Sequence, residues 1–118
     1  MTPQELRRER EQYARDVLEQ YCRTPGTLGH VRPADRALAR YLYDRNIPLP
    51  LVEDAFVLAT ARRTFRPAGA VPLSPVRSLH FYLPLVQELL LHRPDLGYVR
   101  ALRSRLQRVF GANTFQPR

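Results

Sequence analysis

Residues 75–91 form the sequence PVRSLHFYLPLVQELLL, the stretch that decides the fold. Wound as a helix of 3.6 residues per turn, this segment carries apolar side chains on nearly every side. A single polar stripe interrupts them, made by Arg77, His80, Pro84, Gln87 and Glu88. Such a helix needs neighbours all round, so we predict that it is the central helix of a bundle. Pro84 is expected to kink it rather than break it, because the carbonyl group of His80 that loses its partner can face water.

Four more helices are predicted around this one. Thr2, Pro3 and Glu5 form a capping box that starts a helix over residues 3–21. Apolar side chains repeat at helical spacing over residues 34–44, 50–65 and 96–110, and no alternating run indicates a strand. The second helix is expected to bury Ala34, Ala37, Leu38, Tyr41 and Leu42, and the fifth Val99, Leu102, Leu106 and Val109.

These patterns predict an all-α fold, a compact five-helix bundle with a central, proline-kinked fourth helix. A chain of 118 residues is long enough to bury one core without staples. We therefore expect a single helical domain over residues 1–110, followed by a flexible C-terminal tail over residues 111–118.

The charge of the chain comes entirely from arginine on the basic side. There are 19 basic residues, none of them lysine, against 11 acidic residues, which gives a formal net charge of +8. Arginine offers five donors in a rigid plane that matches phosphate and carboxylate groups. A GC-rich coding sequence would also replace lysine by arginine, but it would leave the excess over acids unexplained. The composition therefore favours an acidic partner, either nucleic acid or an acidic protein.

Composition also indicates the compartment. A single cysteine, Cys22, excludes an internal disulfide and fits a reducing environment. The start MTPQELRRERE has no apolar signal region, and no apolar run is long enough to span a membrane. We expect a soluble cytoplasmic protein without a membrane partner. The oligomeric state stays open.

Catalytic chemistry is poorly represented. The chain has no HExxH motif, no paired histidines at ligand spacing and no glycine-rich phosphate loop. Cys22 is interpreted as a small apolar residue, His30 as a loop residue and His92 as a helix-end charge. His80 could act as a base beside Arg77, but a solvated histidine accounts for it better. We predict a protein that is not an enzyme and that uses no cofactor and no metal.

One arginine cluster is the main candidate for a binding site. Arg62, Arg63 and Arg66 close the third helix, where the helix dipole favours cations. Arg77 would lie in the first turn of the fourth helix, where a cation opposes the dipole and free N–H groups suit an anion. We predict an anion or nucleic-acid site made of these four arginines with Ser74 and Ser78. Salt bridges to Glu53, Asp54 or Glu88 are the alternative.

Two helix faces extend this basic surface. One carries Arg36, Arg40 and Tyr43 on the second helix, and the other carries Arg100, Arg103, Arg105 and Arg108 on the fifth. Arginines interleaved with an exposed tyrosine are typical of surfaces that follow a nucleic-acid backbone and stack bases, and also of ordinary solvated faces.

A helix-turn-helix interpretation of the second and third helices is disfavoured. In that motif the first turn of the recognition helix enters the major groove. Here that turn carries Glu53 and Asp54, whose carboxylates would face phosphates.

The segments IPLPLVEDAFVLATARRTFRP and LSPVRSLHFYLPLVQELL, within residues 47–90, resemble helical accessory or replication-initiator-like proteins of bacterial plasmids and integrated mobile elements. The resemblance implies a small helical module that acts near DNA or a replication protein, and it supplies no catalytic residues.

Two functions are therefore expected. The first is an arginine-rich module that binds nucleic acid, DNA above all, through the phosphate backbone with little sequence choice. The second is a non-enzymatic adaptor that docks another protein on the first helix or on the polar stripe of the fourth. Unpaired arginines on one face would favour the first function. Arginines paired with acids beside an open apolar groove would favour the second.

Overall fold

The fold was analysed in a computed structural model that describes residues 1–116. The described residues form five α-helices and no strand, which confirms the all-α five-helix bundle. A short 3-10 helix, Leu79–Tyr82, precedes the fourth of them. The five are α1 (Pro3–Arg23), α2 (Pro33–Asp44), α3 (Leu49–Thr64), α4 (Leu83–Leu91) and α5 (Leu96–Phe110).

The central helix is α3, not the fourth helix as predicted. Ten of its sixteen residues are buried, and it packs against α1, α4, α5 and the 3-10 helix. Its small residues Ala55, Ala59 and Ala61 let neighbouring helices approach from several sides, while Phe56 fills the space between them. The buried hydroxyl of Thr60 is satisfied within the helix, since it donates to the carbonyl oxygen of Phe56 at 2.7 Å.

The fourth helix starts eight residues later than predicted, so the expected proline kink is wrong. The chain before it is extended: Val76 N–H donates to the carbonyl oxygen of Gly26 at 2.7 Å, and its own carbonyl accepts from Leu28 N–H at 3.0 Å. Pro84 therefore lies in the first turn of α4, where its missing N–H leaves no hydrogen bond unmade. Backbone pairing with the α1–α2 loop has overridden the apolar pattern.

Asp35 links α2 to the 3-10 helix and changes which face of α2 is buried. Its fully buried carboxylate accepts from Leu79 N–H at 2.9 Å, from the Ser78 hydroxyl at 3.2 Å and from Arg32 N–H at 2.9 Å. Because Asp35 faces inward, the buried face of α2 is made by Asp35, Leu38, Ala39 and Leu42. The predicted burial of Ala34, Ala37 and Tyr41 is wrong, since all three are exposed.

The ends of the chain show capping as predicted and one unexpected contact. The Thr2 hydroxyl accepts from Glu5 N–H at 3.1 Å and completes the capping box of α1. At the other end Val109 is exposed, which corrects the predicted seam of α5. Beyond Gly111, Phe115 packs against the core. The flexible tail stays a prediction, and residues 117–118 of it lie outside the described residues.

Candidate nucleic-acid interface

Charge is unequally divided along the chain. Residues 1–54, here called the balanced half, contain nine arginines and nine acidic residues. Residues 55–118, the basic half, contain ten arginines and only two acidic residues, Glu88 and Asp95. The whole net charge of +8 therefore belongs to the basic half. Counting charges by segment would have revealed this division from the sequence, but the analysis by helix faces missed it.

In the balanced half, α1 and α2 pair their charges across their interface. Arg10 Nη2 lies 2.9 Å from Asp44 Oδ2, and Arg40 Nε lies 2.9 Å from Glu11 Oε1. The hydrogen bond from Arg10 lowers the pKa of Asp44 and the one from Arg40 lowers the pKa of Glu11. These arginines are occupied by carboxylates of their own chain.

On the predicted binding face of α2, two of the three residues already have partners within the chain. Arg40 is paired with Glu11, and the Tyr43 hydroxyl donates to Glu9 Oε2 at 3.1 Å. The Tyr43 ring also packs edge-on against Tyr13 with centroids 5.5 Å apart. Arg36 alone stays exposed on that helix face.

Three arginines lie at or just beyond the C-terminal end of α3, and two of them are held by carbonyl groups. Arg63 Nη2 donates to the carbonyl oxygen of Ser74 at 2.7 Å, and Arg66 Nη2 donates to that of Val71 at 2.6 Å. Carbonyl groups orient a guanidinium but carry no net charge, so both arginines stay cationic toward solvent. Arg62 meets the exposed carboxylate of Glu88 at 3.8 Å, a geometry that contributes little energy.

The other predicted members of this cluster do not lie around the start of an α-helix, contrary to the prediction. No helix begins at Pro75, so Arg77 lies on the extended segment and is exposed there. The Ser78 hydroxyl accepts from His80 N–H at 3.1 Å and donates to the Asp35 carboxylate, which would repel an anion. Ser74 contributes its carbonyl group to Arg63 instead of a free helix N-terminus. The dipole argument for Arg77 fails with the helix start on which it depended.

Some arginines of α5 contact other parts of the bundle, and others are exposed to solvent. Arg103 lies 3.9 Å from Asp54, which is also bound by Arg93 at 2.9 Å. Arg105 lies over the Phe65 ring at 4.0 Å from the centroid, a cation–π contact. Arg100 and Arg108 are exposed as predicted, whereas Arg103 serves the bundle.

The contacts of Asp54 show which residues cover the side of α3 near its start. Its side chain is only 10% exposed, and Leu51 and Val52 beside it are buried. Arg93 of the α4–α5 loop and Arg103 of α5 thus cover the side of α3 on which Asp54 lies, in its second turn.

Three adjoining clefts run along the end of α3, and together they are called the arginine groove. The first has a volume of about 340 Å³ between α3, α4 and α5 and includes Arg62, Arg105 and Tyr98. The second, about 240 Å³, includes Arg62, Arg63 and Phe81, and the third, about 250 Å³, includes Arg63, Arg66 and Phe110. Shared arginines thus join neighbouring clefts into one groove.

Aromatic rings accompany these arginines at the surface. Tyr98 is 58% exposed, Phe81 47% and Phe110 46%. Exposed rings between guanidinium groups offer stacking faces next to phosphate-binding groups. The sequence analysis did not predict these rings as site residues: Phe81 lies in the helix that was expected to be mostly buried, and Tyr98 and Phe110 lie outside the predicted seam of the fifth helix.

The described residues contain little that supports other chemistry. No group of three or more His, Cys, Asp or Glu side chains in residues 1–116 is placed to hold a metal ion. Burial raises the pKa of the Cys22 thiol, which disfavours the nucleophilic thiolate. In the same part of the chain, no helix is both long and apolar enough to cross a membrane.

Comparisons with known proteins identify no relative: no family model, no curated protein and no solved structure matches the chain. The resemblance of residues 47–90 to plasmid and mobile-element proteins therefore stays a prediction. The geometry of the arginine groove is the basis for a functional proposal.

Proposed function

We propose that this protein is a non-enzymatic nucleic-acid-binding module that holds the phosphate backbone in its arginine groove, with DNA as the preferred ligand. The resemblance of residues 47–90 supports a cytoplasmic role in the replication or maintenance of a mobile element. No cofactor is required, because the affinity comes from guanidinium groups and aromatic rings.

The observation that carries the proposal is the environment of the arginines in the arginine groove, which differs from that of the arginines between α1 and α2. In the balanced half Arg10 and Arg40 face carboxylates at 2.9 Å, so their charge is already compensated. In the basic half Arg63 and Arg66 are oriented by carbonyl groups and Arg105 by a ring, so their charge is not compensated. Neutralising nucleic-acid phosphates with such groups releases condensed counterions, which supplies most of the binding free energy at low salt.

This arrangement predicts little sequence preference. Phosphate contacts position a strand without reading its sequence, and every base offers a face to an aromatic ring. In the first turn of α3, Leu51 and Val52 are buried and offer no side chain to base edges. Specificity is therefore expected for the form of the nucleic acid rather than for its bases.

A salt titration with matched variants tests the proposal. Fluorescence anisotropy would follow binding of labelled duplex and single-stranded DNA at several salt concentrations. The triple variant R62Q/R63Q/R66Q should reduce the slope of log affinity against log salt by about 2 on single strands, since each lost contact contributes about 0.7. On duplex the loss per contact should be about 0.9.

The control removes the same charge from the balanced half. Arg7, Arg8 and Arg45 are exposed, so R7Q/R8Q/R45Q changes the net charge equally. Circular dichroism melting would verify that both variants fold. Equal losses in the two variants would show that a diffuse field of the net charge, not the arginine groove, attracts the nucleic acid.

Adaptor function is a second candidate, and a different surface favours it. Ala34, Ala37, Tyr41 and Leu83 line a shallow cleft of about 550 Å³ between α2 and α4, and Tyr41 is 50% exposed. A photo-crosslinking residue at position 37 should then capture a protein partner that a crosslinker at the exposed Gln12 does not. This function would replace the first if the wild-type protein binds no nucleic acid at low salt.

A further inference from the structure

We infer that the first cleft of the arginine groove holds one unstacked base of a single strand together with its phosphate, so that the protein prefers single-stranded to duplex DNA. The inference rests on the proposed function and names its substrate class. It depends on the shape of this cleft, on the state of its two arginines and on one exposed tyrosine.

Size and lining of the cleft suit a base and its phosphate. Its volume, about 340 Å³, lies in the range of sites that enclose small organic ligands. The wall is apolar where Leu58, Leu89 and Leu102 contribute. Polar groups of the lining come from Arg62, Arg105, Glu88 and His92. A base has flat apolar faces and is linked to an anion, so it matches both kinds of surface. Bases within a duplex are stacked and cannot enter such a cleft without flipping out.

Tyr98 supplies a stacking face beside this cleft. It lies in the first turn of α5, is 58% exposed and lines the cleft. An exposed tyrosine in a cleft can cover a base, and the loss of such a ring weakens binding without opening a core cavity.

The guanidinium group of Arg105 is held in place while its N–H donors stay available to a phosphate. Its guanidinium is held over the Phe65 ring at 4.0 Å, and among residues 1–116 it makes no hydrogen bond or ion pair. The ring restricts the position of the guanidinium group, while its N–H donors keep their full capacity for an anion. Less side-chain freedom is then lost when a phosphate binds.

Arg62 forms a weak, exposed ion pair with Glu88. The pair is 3.8 Å apart with both side chains more than half exposed, so a phosphate that accepts two hydrogen bonds can displace the carboxylate. This competition has a testable consequence, because removal of Glu88 should strengthen binding rather than weaken it.

The experiment compares a twelve-nucleotide thymidine strand with a hairpin duplex by fluorescence anisotropy at one salt concentration. The wild-type protein should bind the single strand about tenfold more tightly, and Tyr98→Ala should remove most of that preference, about a tenfold loss on the strand. Tyr41→Ala is the matched control, since that tyrosine is 50% exposed in the balanced half. It should leave both affinities unchanged.

A second pair of variants produces a gain that misfolding cannot imitate. Glu88→Gln should increase the affinity for the single strand about twofold to fivefold, the range expected for an exposed pair. Glu19→Gln removes the same charge from an exposed pair in the balanced half, where Glu19 lies 3.3 Å from Arg23. It should give a smaller increase. Equal increases would overturn the inference.

Other outcomes separate the inference from the proposed function. Equal affinity for strand and hairpin, with the R62Q/R63Q/R66Q variant still losing salt dependence, overturns the inference and leaves nucleic-acid binding intact. Competition by thymidine monophosphate as strong as by the strand also overturns it, since the cleft would then hold a free nucleotide. If neither DNA binds at low salt, both the inference and the proposed function are wrong.

Discussion

The interface between α1 and α2 and the region around the C-terminal end of α3 use arginine in different ways. In residues 1–54, α1 and α2 face each other with arginine against carboxylate, as in Arg10–Asp44 and Arg40–Glu11. Near the end of α3, arginines meet carbonyl groups and aromatic rings instead, as in Arg63–Ser74 and Arg105–Phe65. An arginine therefore indicates a binding surface only when its partner leaves the charge uncompensated.

The two halves also differ in what their ion pairs contribute to the bundle. Exposed pairs such as Arg10–Asp44 contribute little to stability, so they orient α1 and α2 more than they stabilise them. Asp54 crosses the boundary between the halves with only 10% of its side chain exposed. It connects the second turn of α3 to Arg93 and Arg103 of the basic half.

The largest effect is expected in the core that supports the arginine groove. Leu102→Ala should lower the free energy of unfolding by about 2 to 5 kcal/mol, because it leaves a cavity between α5 and α3. Leu83→Ala should cost less, since that side chain is only partly buried. Urea denaturation measures both, and equal losses would contradict the assigned core.

Removal of Asp35 should break the connection between the halves. Asp35→Ala leaves the buried N–H of Leu79 without its acceptor, so we expect a loss of about 2 to 3 kcal/mol in chemical denaturation. Asp35→Asn keeps one carbonyl acceptor and should recover part of the lost free energy of unfolding. If the alanine variant is as stable as the wild type, Asp35 does not hold the 3-10 helix to α2.

A matched pair of aspartates tests the difference between the halves directly. Asp54→Asn should cost about 1 to 3 kcal/mol, because Arg93 and Arg103 lose a largely buried partner. Asp44→Asn should lower the free energy of unfolding by less than Asp54→Asn does, since its pair with Arg10 is exposed. Thermal melts of the two variants side by side would reveal the order, and the reverse order would contradict the burial argument.

Two tyrosines of α1 should respond with opposite signs. Tyr21 is fully buried, and its hydroxyl has no hydrogen-bond partner within residues 1–116. Tyr21→Phe should thus raise the free energy of unfolding by about 1 kcal/mol. Tyr13→Phe removes a 2.7 Å hydrogen bond to the carbonyl oxygen of Ile47 and should lower it by about 1 kcal/mol. Urea titration can resolve both shifts, and a common sign would be inconsistent with these contacts.

The smallest expected effect is on how the free energy of unfolding depends on pH in acid. The pKa values of Glu11 and Asp44 are lowered by Arg40 and Arg10, so their stabilisation is present above the ordinary values of 4.5 and 3.8 and is lost as the pH falls through the lowered ones. Burial raises the pKa of Glu53, so its protonation favours the folded state as the pH falls. Glu53→Gln should therefore steepen the loss of stability in acid, and E11Q/D44N should flatten it. A pH series of urea titrations measures both slopes.

Sequence alone determined the local features of this protein. Thr2 with Glu5, Asp95 and Gly111 mark helix ends where the structure has them, because a cap depends on residues within one turn. The all-α class followed from the helical period of the apolar residues. The concentration of positive charge after residue 54 follows from the order of residues in the chain. None of these depends on a distant contact.

Tertiary structure decided which helix is central, where α4 begins and which arginines keep an uncompensated charge. Val76 pairs with Gly26, and Asp35 draws Leu79 inward, so the segment before Leu83 gains more from these contacts than from continuing the helix. Arg40 and Arg63 look alike in sequence, yet Arg40 faces Glu11 from α1 and Arg63 faces the carbonyl group of Ser74. The partner of a long side chain is chosen by packing between elements far apart in the chain, which no local pattern encodes.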